Sequence, residues 1–286
     1  MPAPLLPAAP TLTGLSARWT AFAAMARKEF TVMTRYPVEF IASFGQVFAI
    51  VSVFTLAGLT FAGRGPASWT GPTAGLVVYG FILFMFLNDT LWSIGYNIRR
   101  EQTEGTLEQL YLSPSSKFGS LISRVVNTLF WTGLLSIAGS GLMAWMIGSL
   151  PVANPWLGLY ILAMSLSGTF GVGFAFAALT LRLKETAQTL ANVIQFAFLV
   201  LCANFFPFSA LPPFLEGVSR LLPLAYCVDA FRSALMGYPP GFPELASPAV
   251  ELVIVTVFGL AMPIVGYWLY RWAEFVARRQ GSLSEY

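Results

Sequence analysis

Side chains that could do chemistry are scarce in this sequence of 286 residues, and histidine is absent from it. The chain therefore lacks the base of a Ser-His or Cys-His nucleophile pair and cannot hold a metal or haem through imidazole. Its cysteines, Cys202 and Cys227, are too few to close a structural zinc site, so we expect both to be packing residues. The sequence thus predicts no catalytic, cofactor-binding or metal-binding residue.

One acidic residue, Asp89, lies beside Asn88 deep inside a long apolar stretch. A charged group inside a membrane is costly and usually faces protein or water. Asp89, with Asn88 beside it, therefore either lines a path for a cationic substrate or fixes helix packing through a hydrogen bond. We favour packing, because Asn88 and Thr90 offer local partners.

Asn192 and Gln195 are three residues apart and so share a face of another apolar stretch. Single polar residues of this kind commonly join helices by hydrogen bonds. They are nevertheless the best further candidates for a substrate path. Phe198 on the same stretch is a candidate apolar lining residue, although core or lipid contact is its more ordinary role.

The composition indicates whether these residues lie in water or in a lipid bilayer. Only 10% of the chain is charged and 56% is hydrophobic, whereas about a quarter of a soluble protein is charged. A soluble domain and a disordered chain are excluded, and a net charge of +3 is too small for a nucleic-acid binder. The chain is predicted to be an integral membrane protein whose partner is the lipid bilayer, with no nucleic acid.

Six apolar stretches are long enough to cross a membrane as helices, which takes about 20 residues. They cover residues 38–62, 73–98, 121–147, 156–181, 187–206 and 250–270. The fold class predicted is an all-α membrane protein with six transmembrane helices. A run of small residues at 165–173 in the fourth stretch favours close helix packing.

Basic residues are sorted between the two sides of this arrangement. Thirteen of the 16 fall on the side that holds both termini, and only Arg64, Arg220 and Arg232 fall on the other. Because basic residues concentrate in the cytoplasm, both termini are predicted to be cytoplasmic.

The domain organisation follows from these spans. Residues 1–14 are predicted to be a disordered tail, and 276–286 a cytoplasmic tail. The six-span domain covers residues 37–275. Residues 15–36 repeat apolar side chains at helical spacing, which is typical of an interfacial amphipathic helix. The alternative is a stretch without fixed structure before the first span.

Residues 101–112, after the second span, form a short amphipathic segment. Gly105 breaks the preceding helix, and Thr106 with Gln109 can form a capping box. One face is apolar: Leu107, Leu110 and Tyr111. The rim is acidic: Glu101, Glu104 and Glu108. Such a helix suits a groove on a partner with a basic rim. A surface turn whose leucines lie on the bilayer is an equal alternative.

Residues 207–237 are too apolar for an ordinary loop, and prolines break them too often for a span. Glu216 with Arg220, and Asp229 with Arg232, have the spacing of local helical ion pairs. The segment suits a hairpin that re-enters the outer leaflet, with its backbone buried against protein. A packed external cap is almost as good an interpretation.

Two motifs in these segments resemble the ABC-2 type family of ABC exporter permeases, and the drug-resistance and daunorubicin-exporter subgroup most. The first motif is Arg100-Glu101, then Glu104-Gly105-Thr106-Leu107-Glu108-Gln109-Leu110 and Ser113-Pro114. The second is Phe206-Pro207, Leu211-Pro212, Leu222-Pro223-Leu224, Asp229 and Arg232. The resemblance extends over nearly the whole chain.

The resemblance implies roles for both segments. Residues 101–112 would be a coupling helix that docks on a separate ATPase, through Glu101, Glu104, Gly105, Thr106, Leu107, Glu108, Leu110 and Tyr111. Residues 15–36 would be the connecting helix beside it. Residues 207–237 would be an outer gate, with Phe206, Pro207, Leu211, Pro212, Pro223, Asp229 and Arg232 as its marked positions.

It also implies an assembly of two permeases, a homodimer being expected, with two ATPase subunits that hold ATP and Mg²⁺. The location implied is a bacterial inner membrane, and the cargo exported is a hydrophobic or amphipathic drug, lipid or lipid-linked glycan. ATP hydrolysis by this chain is not expected, because none of Lys28, Lys117 and Lys184 follows a glycine as a P-loop requires. The alternative function is a secondary transporter driven by an ion gradient, although no inverted repeat is visible.

Overall fold

A computed structural model of the chain describes residues 72–90, 117–147, 150–183 and 186–280, with a few scattered helical positions between residues 23 and 53. Within these ranges the chain is all-helical, as predicted, with seven α-helices, one 3₁₀ turn at Phe208–Ala210 and no strand. The helices are α1 (Pro72–Thr90), α2 (Lys117–Ile147), α3 (Pro155–Leu183), α4 (Thr186–Leu201), α5 (Pro213–Ser219), α6 (Pro223–Met236) and α7 (Pro248–Gln280). The coupling segment 101–112 and the tail 1–14 lie outside the described residues.

Many of these helices begin at a proline. The starting residues are Pro72, Pro155, Pro213, Pro223 and Pro248. Proline suits the first turn because its missing N–H has no helical partner there and its φ is already fixed near the helical value. The prolines of residues 207–237 therefore cut that segment into short helices, as the sequence predicts. Gly237 ends α6 with a φ of 78°, a left-handed conformation that glycine adopts without strain.

Two helices end well away from the predicted span ends. α4 ends at Leu201 rather than at residue 206, because Ala203 takes a φ of 46° and Asn204 folds back. The Asn204 side-chain amide donates to the carbonyls of Phe198 and Leu199 at 3.0 and 3.4 Å, which caps the helix. α7 continues to Gln280 rather than ending near residue 270.

Two helices of the described ranges are long and apolar enough to cross a membrane. They are residues 155–180 of α3 and 248–276 of α7. α1, α2 and α4 overlap three more of the predicted spans and contain shorter apolar stretches. The first predicted span lies almost entirely outside the described residues, so the count of six stays a prediction.

α1 occupies the centre of the bundle and contacts α2, α3, α4 and α6. Almost every residue from 75 to 87 is buried, as its apolar character on all sides requires. Tyr79 lies edge-on to Phe231 of α6, with ring centroids 5.8 Å apart, and its hydroxyl donates to the Pro151 carbonyl. α1 is therefore the core element on which α6 rests.

Among the described helices, α3 and α7 form the most extensive pair. A Cβ at Gly266 would lie 2.0 Å from the Gly171 carbonyl oxygen, and one at Gly171 would lie 2.3 Å from the Met262 backbone. Only glycine permits this approach. The predicted close packing at residues 165–173 is thus confirmed, with α7 as the partner helix.

Candidate functional site

Residues 202–247, which we call the cap, contain the 3₁₀ turn, α5, α6 and the loop that leads to α7. α6 packs against α1, α3 and α7. Its last turn is tied to the chain before α3, where the Ala153 N–H donates to the Leu235 carbonyl at 2.8 Å. Segments predicted to lie on the non-cytoplasmic side thus meet at one end of the bundle.

Arg232 organises the inside of the cap, and its side chain is fully buried. Its Nη1 donates to the carbonyls of Ala203 and Phe206 at 3.1 and 3.2 Å, just beyond the end of α4. Its guanidinium also lies over the ring of Phe208, 4.9 Å from the centroid, and near that of Phe242. Arg232 therefore holds α6 against the chain that follows α4, where a positive charge complements the helix C-terminus.

Two carboxylates complete the contacts of Arg232. Its Nε donates to Asp229 Oδ1 and its Nη2 to Glu244 Oε1, both at 3.4 Å. Asp229 Oδ2 accepts the backbone N–H groups of Glu244 and Leu245 at 2.7 and 2.8 Å. Glu244 Oε2 accepts the N–H of Ser209 at 2.8 Å. The predicted Asp229–Arg232 pair is confirmed, but most of its partners are distant in sequence.

A further acid, Glu251, is buried in the first turn of α7, and its carboxyl group lies beside that of Asp229. The resulting charge cluster consists of Asp229, Arg232, Glu244 and Glu251. Three acids thus surround one guanidinium at the junction of α6, α7 and the end of α4. Removing one partner of a buried ion pair is far more damaging than losing an exposed pair, so this cluster fixes the position of the cap.

The other predicted gate residues shape the cap backbone. Pro207 precedes the 3₁₀ turn and Leu211 ends it with a buried side chain. Pro212 caps α5 and Pro223 begins α6, both exposed, while Phe206 contributes its carbonyl to Arg232. Of the predicted gate positions, Phe206 and Asp229 contact the Arg232 side chain.

Asp89 contacts a neighbouring helix. Thr132 Oγ1 of α2 donates to Asp89 Oδ2 at 2.5 Å, and Asn88 Nδ2 donates to Asp89 Oδ1 at 3.4 Å. Thr90, expected to be a local partner, instead has a buried hydroxyl without a hydrogen bond among the described residues. The geometry supports the packing role for Asp89, with Thr132 as the main partner.

The predicted path residues of α4 have different surroundings. Asn192 is exposed on the isolated chain, whereas Gln195 is half-buried. Phe198 packs against the main core, which places it inward. The role of these three residues in a substrate path stays a prediction.

Cys202 and Cys227 are free thiols, and both are buried, as expected of packing residues. They line one small cavity beneath α6, together with Asn204 and Ser165. Burial raises the pKa of the Cys227 thiol to about 12, so it stays protonated and unreactive at neutral pH. No group of three His, Cys, Asp or Glu side chains in the described ranges could hold a metal.

Sequence reasoning missed Glu244, Glu251 and Thr132. No spacing rule joins Arg232 to Glu244, twelve residues away, or to Ala203, 29 residues away. The sequence offered one signal for the charge cluster: Glu244 and Glu251 lie close to residue 250, where the sixth predicted span begins. The coupling residues 101–111 lie outside the described residues and remain a prediction.

Comparison with known proteins gives two findings. A family profile described as "ABC-2 type transporter" matches residues 20–236, which include both motif segments and the cap as far as Met236. The chain is also 30% identical over 99 residues to Nodulation protein J of Neorhizobium galegae. That alignment covers 32% of this chain and 38% of the relative.

Proposed function

Since this chain belongs to the ABC-2 type transporter family, we propose that it is the membrane-spanning subunit of an ATP-driven exporter. Proteins of this family are membrane transport components rather than enzymes, and they work with an ABC ATPase subunit. ATP and Mg²⁺ would bind to that partner, which would hydrolyse the nucleotide. The observation that carries the proposal is the family match over residues 20–236.

The exporter proposed contains two copies of this chain and two ATPase subunits in a bacterial inner membrane, with both termini cytoplasmic. Residues 101–112 would dock on the ATPase through Leu107, Leu110 and Tyr111, with acids at the rim. The amphipathic helix at 15–36 would lie beside this contact. The charge separation and the amphipathic pattern of these segments support the arrangement.

At the opposite end the cap would serve as the outer gate. Arg232 joins α6 to the chain after α4, so a movement of α4 changes the position of the cap directly. The cargo proposed is hydrophobic or amphipathic: a drug, a lipid or a lipid-linked glycan. The apolar character of the spans, and Asn192 exposed on α4, support such a path.

Co-purification with an ABC ATPase tests the proposal. The chain is co-expressed with a candidate ABC ATPase, in wild-type form and as Leu107→Asp, Glu104→Lys and Glu108→Lys. We expect each substitution to weaken association and to reduce stimulation of the ATPase, because the docking face loses an apolar anchor or its charge. Glu216→Lys, a charge reversal at a partly exposed position of α5, is the control and should leave both unchanged. Undiminished association in all coupling variants would contradict the proposed docking site.

A further inference from the structure

Glu251 is the buried polar group that the proposed function leaves unused. Only 1% of its surface is exposed. Its Oε1 accepts the Ala246 N–H at 3.3 Å, whereas its Oε2 receives no hydrogen bond from the described part of the chain. A buried carboxylate oxygen that accepts no hydrogen bond destabilises the folded state. The cost is smaller if this oxygen carries a proton and donates a hydrogen bond instead.

The neighbouring Asp229 is the natural acceptor. The two carboxyl groups are in contact, and two buried carboxylates in contact strongly disfavour double ionisation. Asp229 accepts two backbone N–H groups at 2.7 and 2.8 Å and the Nε of Arg232 at 3.4 Å, and donors of this kind stabilise the ionised form. Glu251 has one backbone donor, so a shared proton resides on Glu251.

The charges around the pair support this assignment. α6 contributes Asp229, Arg232 and the neutral thiol of Cys227, and the following loop contributes Tyr238 and Glu244. From α3, the hydroxyl of Tyr160 pairs with Thr256, further along α7, at 2.8 Å. Arg232 is the single cation among these groups, whereas Asp229, Glu244 and Glu251 would carry three negative charges. A proton on Glu251 removes one of these three charges.

We propose that Glu251 keeps a proton at neutral pH and donates it to Asp229, and that this O–H···O bond holds the cap against α7 until the proton is lost to water. Loss of the proton places a second buried negative charge beside Asp229 and separates α6 from the start of α7. If the cap is the outer gate of an exporter, as proposed above, the gate opens more readily as pH rises. Only this consequence rests on the proposed function.

Infrared spectroscopy of the full chain in lipid nanodiscs at pH 7 tests the proton directly. We expect a carbonyl band of a protonated carboxyl group that shifts in D₂O, is lost in Glu251→Gln and persists in Glu244→Gln, the neighbour that pairs with Arg232. Absence of such a band from the spectrum of the wild-type protein would overturn the proposal, and this measurement needs no variant. A band unchanged by Glu251→Gln would overturn it equally.

The dependence of thermal stability on pH gives a second readout. The unfolded chain loses this proton near pH 4, the usual range of about 4.3 for glutamate, whereas the folded chain retains it. The folded state therefore binds one more proton, so its stability falls as pH rises through neutrality. Glu251→Gln can still donate to Asp229 but does not titrate, so its melting midpoint should fall less steeply.

Equal slopes for wild type and Glu251→Gln would contradict the shared proton. Both readouts use the chain alone. If the chain binds no ATPase, the proposed function is contradicted but the assignment of the proton to Glu251 is not. If the carbonyl band is absent, the proton assignment is contradicted but the proposed function is not.

Discussion

Ser167 of α3 donates a hydrogen bond of 2.7 Å from its Oγ to the backbone carbonyl of Gly259 in α7. Pro263 lies four residues after Gly259 and has no N–H, so this carbonyl lacks its helical donor. In a bilayer such a carbonyl must find another partner, and a serine of a neighbouring helix is a common one. The α3–α7 pair therefore compensates for a proline inside α7.

This relationship predicts a coupling between Ser167 and Pro263. We expect Ser167→Ala to lower the free energy of unfolding by about 1 kcal/mol, since it leaves the carbonyl unpaired. In a Pro263→Ala background the restored N–H can bond to Gly259, so the same serine change should cost almost nothing. Unfolding of the four proteins in mixed micelles measures the double-mutant cycle, and additive effects would refute the compensation.

The cap charge cluster predicts that two arginines differ in importance. Arg232→Met should cost about 3–5 kcal/mol or abolish folded expression, because Asp229 is left buried without its cation. Arg220→Met is the matched control, since Arg220 pairs with Glu216 at 2.8 Å but is 51% exposed. We expect it to cost about 1 kcal/mol or less. Similar costs for the two changes, measured by thermal unfolding in detergent, would show that the cluster does not position the cap.

Asp89 is predicted to act through Thr132. Thr132→Val leaves the partly buried carboxylate without its nearest donor and should cost about 1–3 kcal/mol. Asp89→Asn retains an acceptor for the threonine hydroxyl, so its cost should be smaller. Stability and ATPase stimulation are measured for both variants. A role in substrate binding would instead appear as lost stimulation in Asp89→Asn with stability unchanged.

Cys227 is expected to report movement of the cap. In a Cys202→Ala background, alkylation of Cys227 by a maleimide should be slow, because the thiol is buried and its pKa is raised to about 12. Ser209→Cys, placed in a chain without Cys202 and Cys227, gives an exposed cap thiol that should react promptly. Comparable rates at the two positions would mean that α6 does not bury Cys227 against the helices beneath it. If the cap opens during transport, ATP turnover should accelerate labelling of Cys227.

Local patterns account for much of what the sequence predicted correctly. Prolines identified the starts of α5 and α6, and the i,i+4 spacing identified the Glu216–Arg220 pair. The small residues of α3 predicted close packing because their effect depends on size alone. Each of these features is decided within a few residues or by composition.

The partners of Arg232 and Asp89 could not be predicted in this way. Arg232 reaches carbonyls 26 and 29 residues earlier, and Asp89 reaches Thr132 across 43 residues. The early end of α4 likewise depends on Asn204, whose backbone packs against Gly80 of α1. Such contacts follow from how the helices pack, which periodicity within one helix does not specify.

ATP-dependent transport in proteoliposomes tests the central claim most directly. The chain is reconstituted with its co-purified ABC ATPase, and uptake of a labelled amphipathic drug or lipid is followed with MgATP and without an ion gradient. We predict uptake that requires hydrolysable ATP and is abolished by Leu107→Asp. Uptake driven by an ion gradient in the absence of ATP would contradict the account and identify a secondary transporter.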